Sequence, residues 1–163
     1  MINKKTKFLS TTAVIAALYV AITLTLGAFS FGVIQIRLGE MFNHLVVINK
    51  KYIVAIVIGC GIANLFSPLG IIDVFIGTTG TFIFLSISYL VTRKIKNLKV
   101  RLLINTIVIS VSMFTVALEL NYFYGSPFWL TYLSVAVGEA ISMSIGAVII
   151  YQIQKRFDLK KQI

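Results

Sequence analysis

Six mostly apolar stretches alternate with short polar or basic segments along the chain. They cover approximately residues 8–31, 36–48, 52–66, 71–92, 102–119 and 128–152. A helix crosses the hydrocarbon core of a bilayer with about 20 apolar residues. The pattern therefore predicts an all-α integral membrane protein, with six transmembrane helices in one bundle and a single domain over residues 1–163.

Two of these stretches leave alternatives open. The first follows three lysines, as a signal peptide does, but it is longer than the roughly 7–15 apolar residues of a signal sequence, which favours a transmembrane helix. The stretch at 36–48 is shorter and less apolar than the others. A tilted, bent or partly re-entrant course therefore stays open for it.

Composition separates the chain from soluble classes of protein. It is 58% hydrophobic and 12% charged, with a mean hydropathy of +0.96, and a water-soluble domain of 163 residues cannot bury that much apolar surface. A net charge of +10 would suggest nucleic acid in a soluble protein. Here the basic residues lie in short clusters between apolar stretches, so membrane topology explains them and no nucleic-acid partner is expected.

The basic clusters also predict the orientation of the helices. With six passes, the clusters at 4–7, 50–51, 93–101 and 155–161 all lie on one side of the membrane, and Arg37 is the only Lys or Arg elsewhere. Because positive charge marks the cytoplasmic side, both termini are predicted to be cytoplasmic. With five passes the clusters would alternate between the two sides.

That topology places four of the five acids in the outer half of the bundle. Glu40, Asp73 and Glu119 lie near the ends of predicted helices, whereas Glu139 lies eleven residues into the last one, some 16 Å deep at about 1.5 Å per residue. Ionisable groups at membrane depth are costly and usually functional. With Arg37 and Asn64, these acids predict an outward-facing cavity for a small polar or cationic ligand.

Each of these residues also has a structural interpretation. Arg37 and Glu40 are three residues apart and could neutralise each other. Asp73 could simply stabilise a helix N-terminus, and Glu119 could be exposed at the membrane surface. Glu139 is harder to explain structurally, because a carboxylate near the middle of the bilayer needs a hydrogen-bond donor.

Aromatic residues cluster around the last predicted outer loop, with Trp129 among them. An aromatic belt at the membrane surface and a stacking platform for a planar ligand both remain open, and Trp129 is a candidate ligand contact. His44 is the only histidine and has no partner at metal-ligand spacing, and Cys60 is the only cysteine. No metal, cofactor or disulfide is expected.

Ala13, Ala17 and Ala21 form a stripe of small residues along one face of the first helix. Such a stripe lets another helix approach closely, either within the bundle or from a partner protein. The sequence has no GxxxxGK nucleotide-binding loop and no recognisable catalytic motif. Transport by this chain would therefore use either an ion gradient or the ATPases of a partner.

Three blocks resemble one family. They are IQIRLGE at 34–40, GCGIANLFSPLGIIDVFIGTTGT at 59–81 and VAVGEAISMSIG at 135–146. They are similar to the queuosine-precursor substrate-binding subunits, the QueT type, of energy-coupling-factor (ECF) transporters. The resemblance covers nearly the whole chain.

The resemblance implies a substrate-capture subunit in the cell membrane, without enzymatic activity. Such a subunit works with a transmembrane coupling subunit, which contacts the alanine stripe, and with two cytoplasmic ATPases. The implied ligand is preQ1, 7-aminomethyl-7-deazaguanine. A subunit for another small metabolite or vitamin, a stand-alone secondary transporter and a purely structural membrane protein are the alternatives.

Overall fold

The computed structural model describes residues 3–30 and 35–163, and every regular element in these ranges is helical. The α-helices are α1 (Lys4–Thr25), α2 (Gly27–Ser30), α3 (Tyr52–Asn64), α4 (Ile71–Thr92), α5 (Leu98–Ser112), α6 (Phe114–Tyr124) and α7 (Phe128–Arg156). Two 3-10 helices, Leu38–Val47 and Leu159–Lys161, complete them. The first helix was expected to end at Phe31, which lies outside the described residues.

Four helical segments are long and apolar enough to cross a membrane, within the part of the chain that the structure describes. They are α1, α4, the combined α5–α6 segment and α7. α3 is apolar but has 13 residues, about 20 Å at 1.5 Å per residue. Large apolar side chains are exposed along the outside of these helices, as lipid contact requires.

The predicted second helix is instead a buried 3-10 helix at Leu38–Val47, called the central segment below. It packs against α1, α3, α4, α5 and α7 and has eight buried residues. Its ten residues extend over about 20 Å, whereas an α-helix of that length would cover about 15 Å. Its buried polar residues find partners on several helices, which explains why an irregular, extended element is stable there.

Close packing between α7 and the central segment depends on Gly146. A Cβ atom at this position would lie 2.5 Å from Cβ and 2.6 Å from Cα of Met41. Only hydrogen fits in that space, so the two backbones touch.

We expect Gly146→Ala to destabilise the protein by about 1–3 kcal/mol, because overpacking forces one of the two backbones to move. Gly80→Ala in α4 is the matched control. Both changes raise helix propensity, but a Cβ at Gly80 would have its nearest contact at 3.9 Å, to Thr115 Oγ1. Thermal unfolding in detergent should therefore show a lower melting temperature for Gly146→Ala, whereas Gly80→Ala should not lower it. Equal melting temperatures would contradict the close contact.

The start and end of the chain lie at the same end of the bundle. Lys7 Nζ donates to the carbonyl of Lys161, and Thr11 Oγ1 donates to the carbonyl of Gln162 at 2.8 Å. Tyr52, at the start of α3, donates its hydroxyl to the carbonyl of Leu159 at 2.8 Å. We call this the termini end. Asn64, at the other end of α3, therefore lies towards the opposite end of the bundle.

A break at Met113 divides the fifth predicted helix into α5 and α6. Ser112 Oγ donates to the carbonyl of Ile109 at 2.7 Å, and Thr115 Oγ1 donates to that of Ser112 at 2.9 Å. Hydrogen bonds from serine and threonine hydroxyls to backbone carbonyls compete with the backbone hydrogen bonds of a helix and can bend it. The helical course then continues to Tyr124, beyond the end expected near 119.

Candidate ligand-binding site

A small cavity of about 50 Å³ lies where the central segment meets the surrounding helices. Its polar lining comes from the central segment and its approach, from α3, α4 and α7, and from the α5–α6 break. The lining residues that bear polar or charged groups include Gln35, Arg37, Glu40, Asn43, Cys60, Thr81, Ser112, Thr115 and Glu139. The sequence-predicted residues Arg37, Glu40 and Glu139 are thus brought together.

Side chains of the protein contact both oxygens of Glu40. Tyr19 donates its hydroxyl to Oε1 at 2.5 Å, and Asn43 Nδ2 donates to Oε2 at 2.5 Å. Arg37 Nη1 lies 3.9 Å from Oε1, so the expected pairing of Arg37 with Glu40 is present. Because three partners surround it, the Glu40 carboxylate is fixed in position on the cavity wall.

Arg37 also connects the cavity to the start of α4. Its Nη1 donates to Asn64 Oδ1 at 3.2 Å, and Asn64 Nδ2 donates to the carbonyl of Asp73 at 3.1 Å. Its side chain is 13% exposed. Asn64 therefore orients Arg37 and does not itself line the cavity.

Glu139 differs from Glu40 in its surroundings. It is 2% exposed, and its Oε1 has no hydrogen-bond partner within the described ranges. Asn43 Oδ1, which belongs to another residue of the lining, is likewise buried without a partner there. The charged neighbours of Glu139 are Glu40 and Arg37. Two residues of the cavity lining thus each have a buried acceptor oxygen without a described partner.

Glu119 is buried, so the interpretation that it is exposed at the membrane surface is wrong. It is 4% exposed because α6 continues past it to Tyr124 and turns its side chain inward. Its carboxyl lies beside that of Asp73 and within electrostatic range of Arg37. Apart from this contact with the Asp73 carboxyl, neither Glu119 oxygen has a hydrogen-bond partner in the described part of the chain. Glu119 and Asp73 lie next to the cavity lining without being part of it.

The structure does not bring Trp129 to this cavity. Its side chain is 73% exposed and packs edge-to-face on Phe128, with ring centroids 5.1 Å apart. Tyr122 is 83% exposed as well. This placement fits an aromatic belt, so a ligand contact through Trp129 stays a prediction without support from the geometry. Phe84 of α4 is the aromatic residue in the described lining.

His44 has two protein partners. Its Nε2 donates to the carbonyl of Met143 at 2.8 Å, and its Nδ1 accepts from Asn105 Nδ2 at 3.0 Å. Ser88 Oγ completes the chain by donating to Asn105 Oδ1 at 2.5 Å. The imidazole thus joins the central segment to α5 and α7, and Asn105 extends the connection to α4. The ring is neutral, and each of its two nitrogens takes part in a hydrogen bond.

Residues 9–155 match the family described as QueT transporter. The chain belongs to the QueT transporter family. A protein named queuosine precursor transporter QueT, from Lactococcus lactis subsp. cremoris (strain MG1363), is 41% identical over 170 residues, covering 99% of this chain and 100% of that protein. No solved structure matches the chain.

Membership of the QueT family makes the chain a transporter and not an enzyme. Together with four segments able to cross a bilayer, it establishes a multi-pass membrane protein. The family resemblance expected from the three sequence blocks is therefore confirmed.

Sequence reasoning missed two residues that position Glu40, namely Tyr19 and Asn43. The spacing of Arg37, Glu40 and Asn43 could have indicated Asn43, because these residues are three apart. In a 3-10 helix, residues at that spacing lie on the same face. Tyr19 had no comparable signal. It lies in a helix rich in alanine, and its partner is 21 residues away.

The alanine stripe of α1 faces outward. Ala13, Ala17 and Ala21 are exposed, while Ala16 on the neighbouring face is 5% exposed and belongs to the core. The stripe is therefore not covered by the described part of this chain. Val14 and Leu18, beside it, are 57% and 44% exposed, so the surrounding surface is apolar.

Proposed function

We propose that this chain captures a queuosine precursor outside the cell, and that the precursor is preQ1. The observation that supports this most concerns four buried side-chain oxygens that receive no hydrogen bond from the described residues: Glu139 Oε1, Asn43 Oδ1 and both oxygens of Glu119. Buried polar groups normally find a partner, so their ligand should be rich in N–H groups. The relative from L. lactis is named for a precursor of queuosine.

The chemistry of preQ1 matches this set of acceptors. A guanine-like edge presents a ring N–H and an exocyclic amine side by side, and one carboxylate can accept from both. We assign that edge to Glu139, the deep acid facing the cavity. The aminomethyl group is cationic, and we assign it to the neighbouring carboxyls of Asp73 and Glu119.

The charge of the site favours a cation. Arg37 lies within electrostatic range of Glu40, Asp73, Glu119 and Glu139. One guanidinium offsets only one carboxylate, so each further acid that ionises beside it adds repulsion. A positively charged ligand would reduce this repulsion, whereas an anionic metabolite would increase it.

The cavity must widen to admit a bicyclic ligand. Small-molecule sites are typically about 300–1,000 Å³, well above the volume found here. We propose that the α5–α6 break at Met113 permits this widening, because its backbone ladder is interrupted beside the lining residues Ser112 and Thr115.

We further propose six membrane crossings with cytoplasmic termini. In this arrangement the central segment and α3 are the two short crossings. The contacts that join the start of α1, the start of α3 and the final 3-10 helix at one end support an even number of passes. The basic clusters near these points support a cytoplasmic location for that end.

The proposed transporter is an ECF-type importer, in which this chain is the substrate-capture subunit. A transmembrane coupling subunit and two cytoplasmic ATPases complete the assembly. The sequence contains no nucleotide-binding loop, so ATP hydrolysis would occur on those partners.

We expect preQ1 to bind the purified chain without ATP, whereas uptake into vesicles should require the coupling subunit and ATPases. Binding is measured by calorimetry against guanine, which lacks the aminomethyl group, and against thiamine as an unrelated cation. Uptake is measured with and without the partner subunits. Accumulation by the chain alone would support a secondary transporter instead. Tighter binding of another compound than of preQ1 would contradict preQ1 as the substrate.

A further inference from the structure

A groove of about 430 Å³ runs between α5 and α7 on the outside of the bundle. Leu102 forms part of its buried floor, and Leu103 and Val148 form exposed apolar walls, at 60% and 63% exposure. From Lys99 to Thr106 on α5 the groove is about 10 Å long at 1.5 Å per residue. Its interior suits a hydrocarbon chain.

The end of the groove near the start of α5 is positively charged. Lys99 and Tyr151 line it, with Lys99 Nζ 5.5 Å from the centroid of the Tyr151 ring. Lys155 Nζ lies 4.8 Å from the same centroid. Both ammonium groups are thus close to the same tyrosine ring. Asp158 is the only acid in the C-terminal tail, and its side chain is paired with Lys161 at 3.2 Å.

We propose that this groove binds one anionic phospholipid. An acyl chain lies between α5 and α7, and the phosphate lies between Lys99 and Lys155. The combination of apolar walls and a cationic end is complementary to such a lipid, and basic pockets between transmembrane helices bind anionic headgroups elsewhere. This site is separate from the carboxylate-lined cavity and does not depend on the proposed substrate.

A second groove shows what distinguishes this one. It lies between α3 and α4 and measures about 410 Å³. Its described lining, with residues such as Val57, Ile62 and Phe75, contains no charged side chain. Its volume is similar, but it has no group to select a headgroup. We therefore expect headgroup selectivity only at the α5–α7 groove.

The test is lipid retention by the purified chain, measured by native mass spectrometry after delipidation and addition of phosphatidylglycerol or phosphatidylcholine. We expect one phosphatidylglycerol to bind more tightly than phosphatidylcholine. Lys99→Gln/Lys155→Gln should weaken phosphatidylglycerol binding roughly 30-fold, at about fivefold for each lysine lost near a lipid phosphate. Lys94→Gln/Lys96→Gln, which removes the same charge from the exposed α4–α5 loop, is the matched control.

Ala147→Phe tests the apolar part separately, because it fills the groove without changing charge. We expect it to reduce phosphatidylglycerol binding while Lys99 and Lys155 stay in place. Equal binding of the two lipids, an equal loss in the control pair, or full retention by Ala147→Phe would each overturn the proposal. So would a second copy of the chain cross-linked across the groove in place of lipid.

Discussion

Glu139→Gln is expected to weaken preQ1 binding by roughly ten- to a hundredfold without unfolding the protein. The variant retains the shape of the side chain and one acceptor oxygen, but it loses the charge that strengthens the hydrogen bonds. A charge-assisted bond is worth about 1.5–3 kcal/mol, which corresponds to that range of affinity. Calorimetry and thermal unfolding on the same preparation measure the two properties.

The matched control is Asp158→Asn, which makes the same kind of change at the termini end. Asp158 has a side chain that is 45% exposed and lies away from the cavity lining. Its variant should bind preQ1 normally. If Glu139→Gln also bound normally but had a lower melting temperature, its carboxylate would be structural and Glu139 would not belong to the ligand site.

Ala17→Trp is expected to abolish transport and assembly with the coupling subunit, while preQ1 affinity stays nearly unchanged. Ala17 is exposed in the middle of the stripe formed with Ala13 and Ala21, and small residues let a partner helix approach closely. An indole there would prevent that approach without entering the core. Co-purification with the coupling subunit, vesicle uptake and ligand binding are measured in parallel.

Two further tryptophan variants separate docking from folding. Ile83→Trp on α4 is also on the exposed apolar surface, at 45% exposure, and should leave assembly intact. Ala16→Trp enters the core next to the stripe and should destabilise the protein by about 1–3 kcal/mol or more. If Ala17→Trp lost ligand binding and stability, the stripe would be important for internal packing instead of docking.

The sequence was sufficient for the class of protein and for most of its long helices. Apolar stretches of about 20 residues identify membrane helices wherever they occur, because the bilayer acts on each stretch separately. α4 spans Ile71–Thr92, the range expected from the sequence. The residues that resemble the QueT family led to the family that the comparisons establish.

The form of the second predicted helix was harder to predict, because it depends on residues that are distant in the sequence. Hydropathy reports how apolar a segment is, but it does not separate an α-helix from a 3-10 helix. At Leu38–Val47, close contact with Gly146 and side-chain bonds to several helices stabilise the tighter, longer form. Those partners lie far away in the sequence, so no window around residue 40 contains them.

Charge and hydropathy also predicted that the candidate acids lie in the membrane, because both are properties of single residues and their neighbours. Only the tertiary structure distinguished one acid from another. Glu40 is satisfied by Tyr19 and Asn43, whereas Glu139 retains an oxygen without a partner in the described ranges. Trp129 lies on the outside, and Glu119 turns inward towards Asp73. Hydrogen-bond satisfaction depends on which distant side chains meet, and folding alone determines that.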